Sequence, residues 1–180
     1  MGRALRRLAP AALVCALFGA CDAENGRNER RAIRRRDAPQ VLELVRRDLD
    51  QARAGVREAA GRMARGFLVE DPAQQAREMR LVMRRFQEPP EAIDGLMITP
   101  LTFVAAVGTD GHVIARDAQP DRMKGFDLAA QAPPVRHALD GEAAAALSEL
   151  PSLQEGDRPS VTVIFAAPAR HEGGVVGAVA

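Results

Sequence analysis

Few side chains in this chain have the types and spacing that catalysis or metal binding requires. The three histidines, His112, His137 and His171, stand far apart, and His171-Glu172 runs into Gly173-Gly174 with no second His one helical turn away. A zinc helix needs that second ligand on the same face, so the pair has the residue types of a metal site without its spacing. The serines Ser148, Ser152 and Ser160 lie outside any Gly-x-Ser-x-Gly turn, and no glycine-rich loop of the phosphate-cradling kind is present. These patterns give the expectation of a non-catalytic protein with no cofactor and no metal.

Of the two cysteines, Cys15 and Cys21, only Cys21 has a defined setting. It follows Gly19-Ala20, which in turn follow an apolar stretch from Leu8 to Phe18, interrupted by Pro10 and preceded by Arg3, Arg6 and Arg7. A basic start, a short apolar stretch and small residues are the parts of an export signal, and the stretch falls short of the roughly 18 residues of a membrane-spanning helix. No Cys follows Cys21. A disulfide within residues 22–180 is therefore impossible, and the obvious chemical use of the Cys21 thiol is as a thioether acceptor.

This segment resembles a bacterial lipoprotein signal. Leu17-Phe18-Gly19-Ala20-Cys21 supplies the small pair and the Cys, with Phe where that family prefers Leu. The resemblance implies a signal peptide over 1–20, a diacylglyceryl group on Cys21, a further acyl chain on the new N-terminus and a place on the periplasmic side of the bacterial envelope. Two or more chains make a stable membrane anchor. An ordinary secretory signal or an uncleaved anchor is the alternative, with Cys21 a small apolar residue at its edge.

The net charge of +1 is a sum of unlike parts. Residues 22–36 carry six Arg against Asp22, Glu24 and Glu29, and residues 37–180 carry 16 basic and 21 acidic side chains, a net −5. The basic segment 21–36 reads as a tether. Held near anionic headgroups, each guanidinium gains roughly 1 kcal/mol; the plainer reading is a solvated linker in a chain that uses Arg 24 times and Lys once. An acidic domain is not expected to bind nucleic acid, and the lack of Trp and Tyr removes aromatic cages and base-stacking platforms.

Two helices are expected before the sheet. Asp37-Ala38-Pro39-Gln40 is a helix start, and apolar residues then recur at Val41, Val45, Leu49, Ala52, Val56, Ala60, Met63 and Phe67, on one helical face. The stripe is thin, and Gly55, Gly61 and Gly66 weaken the helix, so it needs a surface to lie against or a second copy to pair with. Asp71-Pro72 opens a second helix over 73–87, with Met79, Val82, Met83 and Phe86 inward, and Pro89-Pro90 ends it.

After residue 96 the period changes. The apolar run Leu101–Gly108, the turn residues Thr109-Asp110-Gly111-His112 and Val113–Arg116 read as a tight hairpin. Residues 117–132 read mostly as loop, Pro133–Leu139 as a short helix ended by Asp140-Gly141, and 143–150 as a strand. Val161–Ala167 and Val175–Val179 pair through a turn at His171–Gly174, and the apolar run reaches Ala180 as though a strand were cut short. Long helices before two hairpins and a short helix give an α+β domain with an antiparallel sheet.

Val104 through Arg116, then Lys124-Gly125-Phe126-Asp127-Leu128, then Pro134 through Gly141 ending in Ala-Leu-x-Gly, together resemble a Cache-type, PAS-like extracellular sensor domain over residues 37–180. The resemblance implies a long N-terminal helix packed on a PAS-like antiparallel sheet, helices over 37–88 and a sheet domain over 96–180. It also implies a ligand between the sheet and the segments around the short helix, which maps onto Arg116, Arg122, Lys124, Arg136, His137 and Thr162. Cationic groups in a concave site suit a small organic ligand such as a carboxylate. Such domains usually sit between membrane spans and feed an output module, for which this sequence offers no counterpart, so signalling through a separate partner protein is expected. The alternative is a structural or interaction lipoprotein that docks a partner with its long helix and PAS-like domain.

Overall fold

The computed structural model describes residues 37–96, 102–151 and 160–180; the signal segment, Cys21 and the basic tether lie outside the described residues. The chain divides into two units, Met1–Arg47 and Asp48–Ala180. Among the described residues, no helix is long and apolar enough to cross a membrane.

Residues 37–63 are helical (α1), followed by a 3-10 turn at Ala64–Leu68. In the first unit, Val41 and Val45 are exposed, 54% and 47%, and Leu49 at the start of the second is 39% exposed. The expected stripe is therefore buried only in its second half, at Val56, Ala60, Met63 and Phe67, where the second unit supplies the covering surface. Gly55, which the sequence marks as a weak point, has a packing reason. A Cβ there would come within 3.0 Å of the Asp94 carbonyl oxygen, so Gly55 lets the chain at 94–96 lie directly on α1.

The second helix, α2 (Pro72–Arg85), starts as expected: Pro72 occupies its first turn and the Asp71 carboxylate accepts the Ala73 N–H at 3.0 Å. It buries Ala76, Met79 and Met83, with Phe86 just beyond its end.

Five strands, β1 (Ala105–Val107), β2 (Val113–Arg116), β3 (Ala144–Leu150), β4 (Ser160–His171) and β5 (Gly174–Val179), form one antiparallel sheet in the order β2-β1-β5-β4-β3. The first hairpin is longer than a two-residue turn. Gly108 N–H donates to the His112 carbonyl at 2.9 Å and Gly111 N–H to the Gly108 carbonyl at 3.0 Å, with Gly111 at φ 86°. This is a three-residue loop closed by a left-handed glycine, the next most common hairpin connection. Between residues 117 and 132 the expected loop contains a helical turn, α3 (Leu128–Gln131), capped by Asp127 accepting the Ala130 N–H at 2.9 Å. The α3 start is docked on the hairpin, since Leu128 N–H donates to the Gly111 carbonyl at 3.0 Å. Helix α4 (Pro133–Leu139) ends at Asp140, as the Pro-Pro and Asp-Gly signals predict.

The sheet is covered on both faces. On the α1/α2 face, Met63, Phe67, Met79, Met83 and Phe86 fill the space above Ala106, Ala115, Ala167, Ala169 and Val179. On the other, Met123, Leu128, Val135 and Ala138 pack on Ala105, Val107, Val113, Ile164, Ala166 and Ala178. Alanine on the strands and long side chains on the helices share out the volume, which is how a chain without Trp or Tyr fills two layers.

Candidate functional site

At one end of the sheet the two layers part around a cavity of about 170 Å³. Its floor is Ala52 and Val56 of α1 with Gly95 and Leu96, and its walls are Thr102–Val104 before β1 and Thr162–Phe165 of β4, with Ala180 between them. The walls are positioned by the ladders on either side. Ala105 and Ala180 exchange hydrogen bonds of 2.8 and 3.0 Å, and β4 is fixed by pairing with β3 from Ser160 to Ala166. The lining is mostly apolar with a few polar groups, the usual make-up of a small-ligand site.

Thr162 is half-buried and lines this cavity. Arg116, the last residue of β2, stands at its margin: its guanidinium lies 5.9 Å from the ring centroid of Phe103, a lining residue. Its Nε is 3.9 Å from Asp117 Oδ1, a long ion pair, and makes no hydrogen bond. Two carboxylates fix the backbone here, with Asp121 accepting the Arg116 N–H at 3.0 Å and Asp117 accepting the Val104 N–H at 2.9 Å. Arg116 is thus a half-buried cation with donor capacity left over, held over an aromatic face.

The other four candidates lie elsewhere. Arg122 and Lys124 are exposed in the turn that precedes Asp127, and Arg136 and His137 are exposed on α4, where Arg136 Nη2 donates to the Ala129 carbonyl at 3.3 Å. Of the six candidates only Thr162 is among the residues lining the cavity; Arg116 neighbours it through Phe103. Ser148 is a buried polar group that the sequence gave no reason to place here. It sits across from Thr162 on β3, and its Oγ has no hydrogen-bond partner. The floor and wall were missed as site residues for a related reason. Val56 reads as core from its helical spacing and Phe103 as part of an apolar run, and nothing local to Gly55 or Gly95 announces that the two segments meet.

A larger space of about 820 Å³ lies along the outer side of α2, between Arg77, Arg80, Arg84, Glu78 and Gln119. It is an open groove among surface charges of both signs, where water competes with any ligand, so the smaller apolar cavity is the better candidate. Among the described residues, no group of three or more His, Cys, Asp or Glu is placed to hold a metal ion.

No protein-family profile matches the chain, and no curated protein matches it by sequence. Among solved structures it is similar to the sensor domain of the V. cholerae histidine kinase DctB, at 17% identity and a TM-score of 0.52. The alignment covers 84% of this chain and 53% of that one, so the chain spans about half the length of the sensor domain it matches. The class that fold and sheet order define is therefore α+β and PAS-like: within Asp48–Ala180, the second half of α1 and α2 pack on a five-stranded antiparallel sheet, a fold similar to that of the matched domain.

Proposed function

We propose that this chain is a non-catalytic, extracytoplasmic sensor module, anchored to the membrane through Cys21, that binds a small organic ligand and signals through a separate partner protein. The observation that carries the reading is the sensor-domain fold combined with a mostly apolar cavity at the sheet end. Arg116 favours a carboxylate, because its guanidinium lies over the ring of the cavity residue Phe103, 5.9 Å from its centroid, and its Nε lacks a hydrogen bond. Thr162 supplies a hydroxyl from the opposite wall. The test is a thermal-shift screen against small mono-, di- and hydroxycarboxylates. A ligand at about one hundred times its Kd stabilises by about 2.7 kcal/mol, a readily measured rise in Tm. The reading predicts such a rise and its loss in Arg116→Ala; no shift with any carboxylate or with a broad metabolite panel would sink it.

A second reading is favoured by one specific observation. Leu42, Leu44 and Val45 of α1 are exposed, at 68%, 50% and 47%, an uncovered apolar surface of the kind that docks a partner. Here the chain is a structural or interaction lipoprotein using its long helix. Sedimentation of the wild type beside Leu42→Asp tests the pairing version: self-association lost with the charge supports it, and a strict monomer in both weakens it.

A further inference from the structure

Helix α2 concentrates positive charge that the fold does not use. Residues 72–85 hold Arg77, Arg80, Arg84 and Arg85 against Glu78 alone, inside a region, 37–180, of net −5. Among the described residues none of the four guanidiniums makes an ion pair or a hydrogen bond. The two acids nearby are engaged locally: Asp71 accepts the Ala73 N–H at 3.0 Å, and Glu78 accepts Gln74 Nε2 at 2.8 Å. Neither stands three or four residues from an Arg, the spacing at which helical ion pairs form. Like charges occupy those spacings instead, Arg77 with Arg80 and Arg80 with Arg84, an arrangement that weakens a helix. The helix dipole accounts for Arg84 and Arg85, in the last turn, and not for Arg77 and Arg80.

Arg77, Arg80 and Arg84 border the open groove outside α2, and Leu81 among them is 49% exposed, while Ala76, Met79 and Met83 are buried on the inner side. Holding one small ion against water requires an enclosed site, which this groove is not. An open cationic face with an apolar residue at its centre matches a plane of many phosphates laid over hydrocarbon. Residues 22–36 of the same chain supply six further Arg, a second basic segment suited to the same surface.

We propose that the outer face of α2 docks on anionic phospholipid headgroups, with Arg77, Arg80, Arg84 and Arg85 against the phosphates and Leu81 turned toward the bilayer. Docking fixes an orientation: the α1/α2 layer faces the membrane, and α4, which packs on the opposite face of the sheet, faces away. The proposal stands on α2 and depends neither on the cavity nor on acylation of Cys21.

The purified full chain is incubated with vesicles of phosphatidylcholine alone or mixed equally with phosphatidylglycerol, and its arginines are modified with phenylglyoxal and mapped by mass spectrometry. On the anionic vesicles Arg77, Arg80, Arg84 and Arg85 are expected to be protected while Arg136 on α4 is still modified; on phosphatidylcholine alone all five react. In cosedimentation, replacing the four by Gln should lower the preference for anionic over zwitterionic vesicles by at least about tenfold, with the basic segment 22–36 intact. Replacing them by Lys, which keeps the charge and the fold, should retain most of that preference, and added salt should weaken it in wild type and Lys variant alike. Inorganic phosphate without vesicles should protect none of the four. Undiminished modification of the four on anionic vesicles, as for a face that binds an acidic protein, would overturn the proposal. So would equal protection on both vesicle types, protection by inorganic phosphate alone, loss of the preference in the Lys variant, or an unchanged preference in the Gln variant.

Discussion

Along β4, Ala167–His171 pairs with β5 and is backed by Phe67, which packs against Gly177 of the neighbouring strand. Ser160–Ala166 pairs with β3 and leaves Val161 and Val163 exposed, at 70% and 45%. The same strand is thus core at one end and surface at the other. The open half, Val161–Ala166, is the more apolar in sequence, since the closed half ends in Arg170-His171, so composition alone does not predict which half is covered. The difference lies in what crosses above: the end of α1 and its 3-10 turn cover one half, and the cavity opens beside the other. A site sits where a regular element outruns its cover.

Substitutions along this gradient test the contrast. Phe67→Ala, at the closed end, removes a buried ring and should cost about 3–5 kcal/mol in urea unfolding, with the midpoint lowered and the slope unchanged. Gly177→Ala is next. A Cβ there would overlap the Phe67 ring and lie 2.8 Å from the Val107 carbonyl oxygen, so a loss of about 1–3 kcal/mol is expected by the same measurement. Arg170→Ala removes bonds to the carbonyls of Gly141 at 2.8 Å and Gly173 at 3.4 Å, which tie α4 to the β4–β5 turn. Being exposed, it should cost only about 0.5–1.5 kcal/mol. Val161→Thr, at the open end, should change stability by no more than about 0.5 kcal/mol. A large loss for Val161→Thr, or a negligible one for Phe67→Ala, would erase the distinction between the two ends.

The two helical start signals fared differently. Asp71-Pro72 marks a helix whose Met79 and Met83 are fully buried, because that face of α2 packs on β2 and the 3-10 turn. The stripe from Val41 to Phe67 has equally regular spacing, yet Val41, Val45 and Leu49 are exposed. Periodicity specifies which face is apolar and carries no information about where the covering surface stops. The small helix α3 falls in a stretch that reads as loop: Asp127 caps it, but its first N–H groups dock on the Gly111 carbonyl, a contact the local sequence does not announce.

For the site, the same division holds. Arg116 and Thr162 are candidates by type, and the fold brings both toward one cavity, while Arg122, Lys124, Arg136 and His137, equally suitable by type, point to solvent from a turn and from α4. Local sequence determined the strands, the turn positions at Gly111 and Gly173, the capped start of α2 and the acidic charge of residues 37–180, since these depend on near neighbours and side-chain chemistry. Tertiary structure alone decided that Thr102–Val104 and Thr162–Phe165 face each other across a gap floored by Ala52 and Val56. Those segments lie some sixty residues apart, and only closure of the sheet order β2-β1-β5-β4-β3 brings them together.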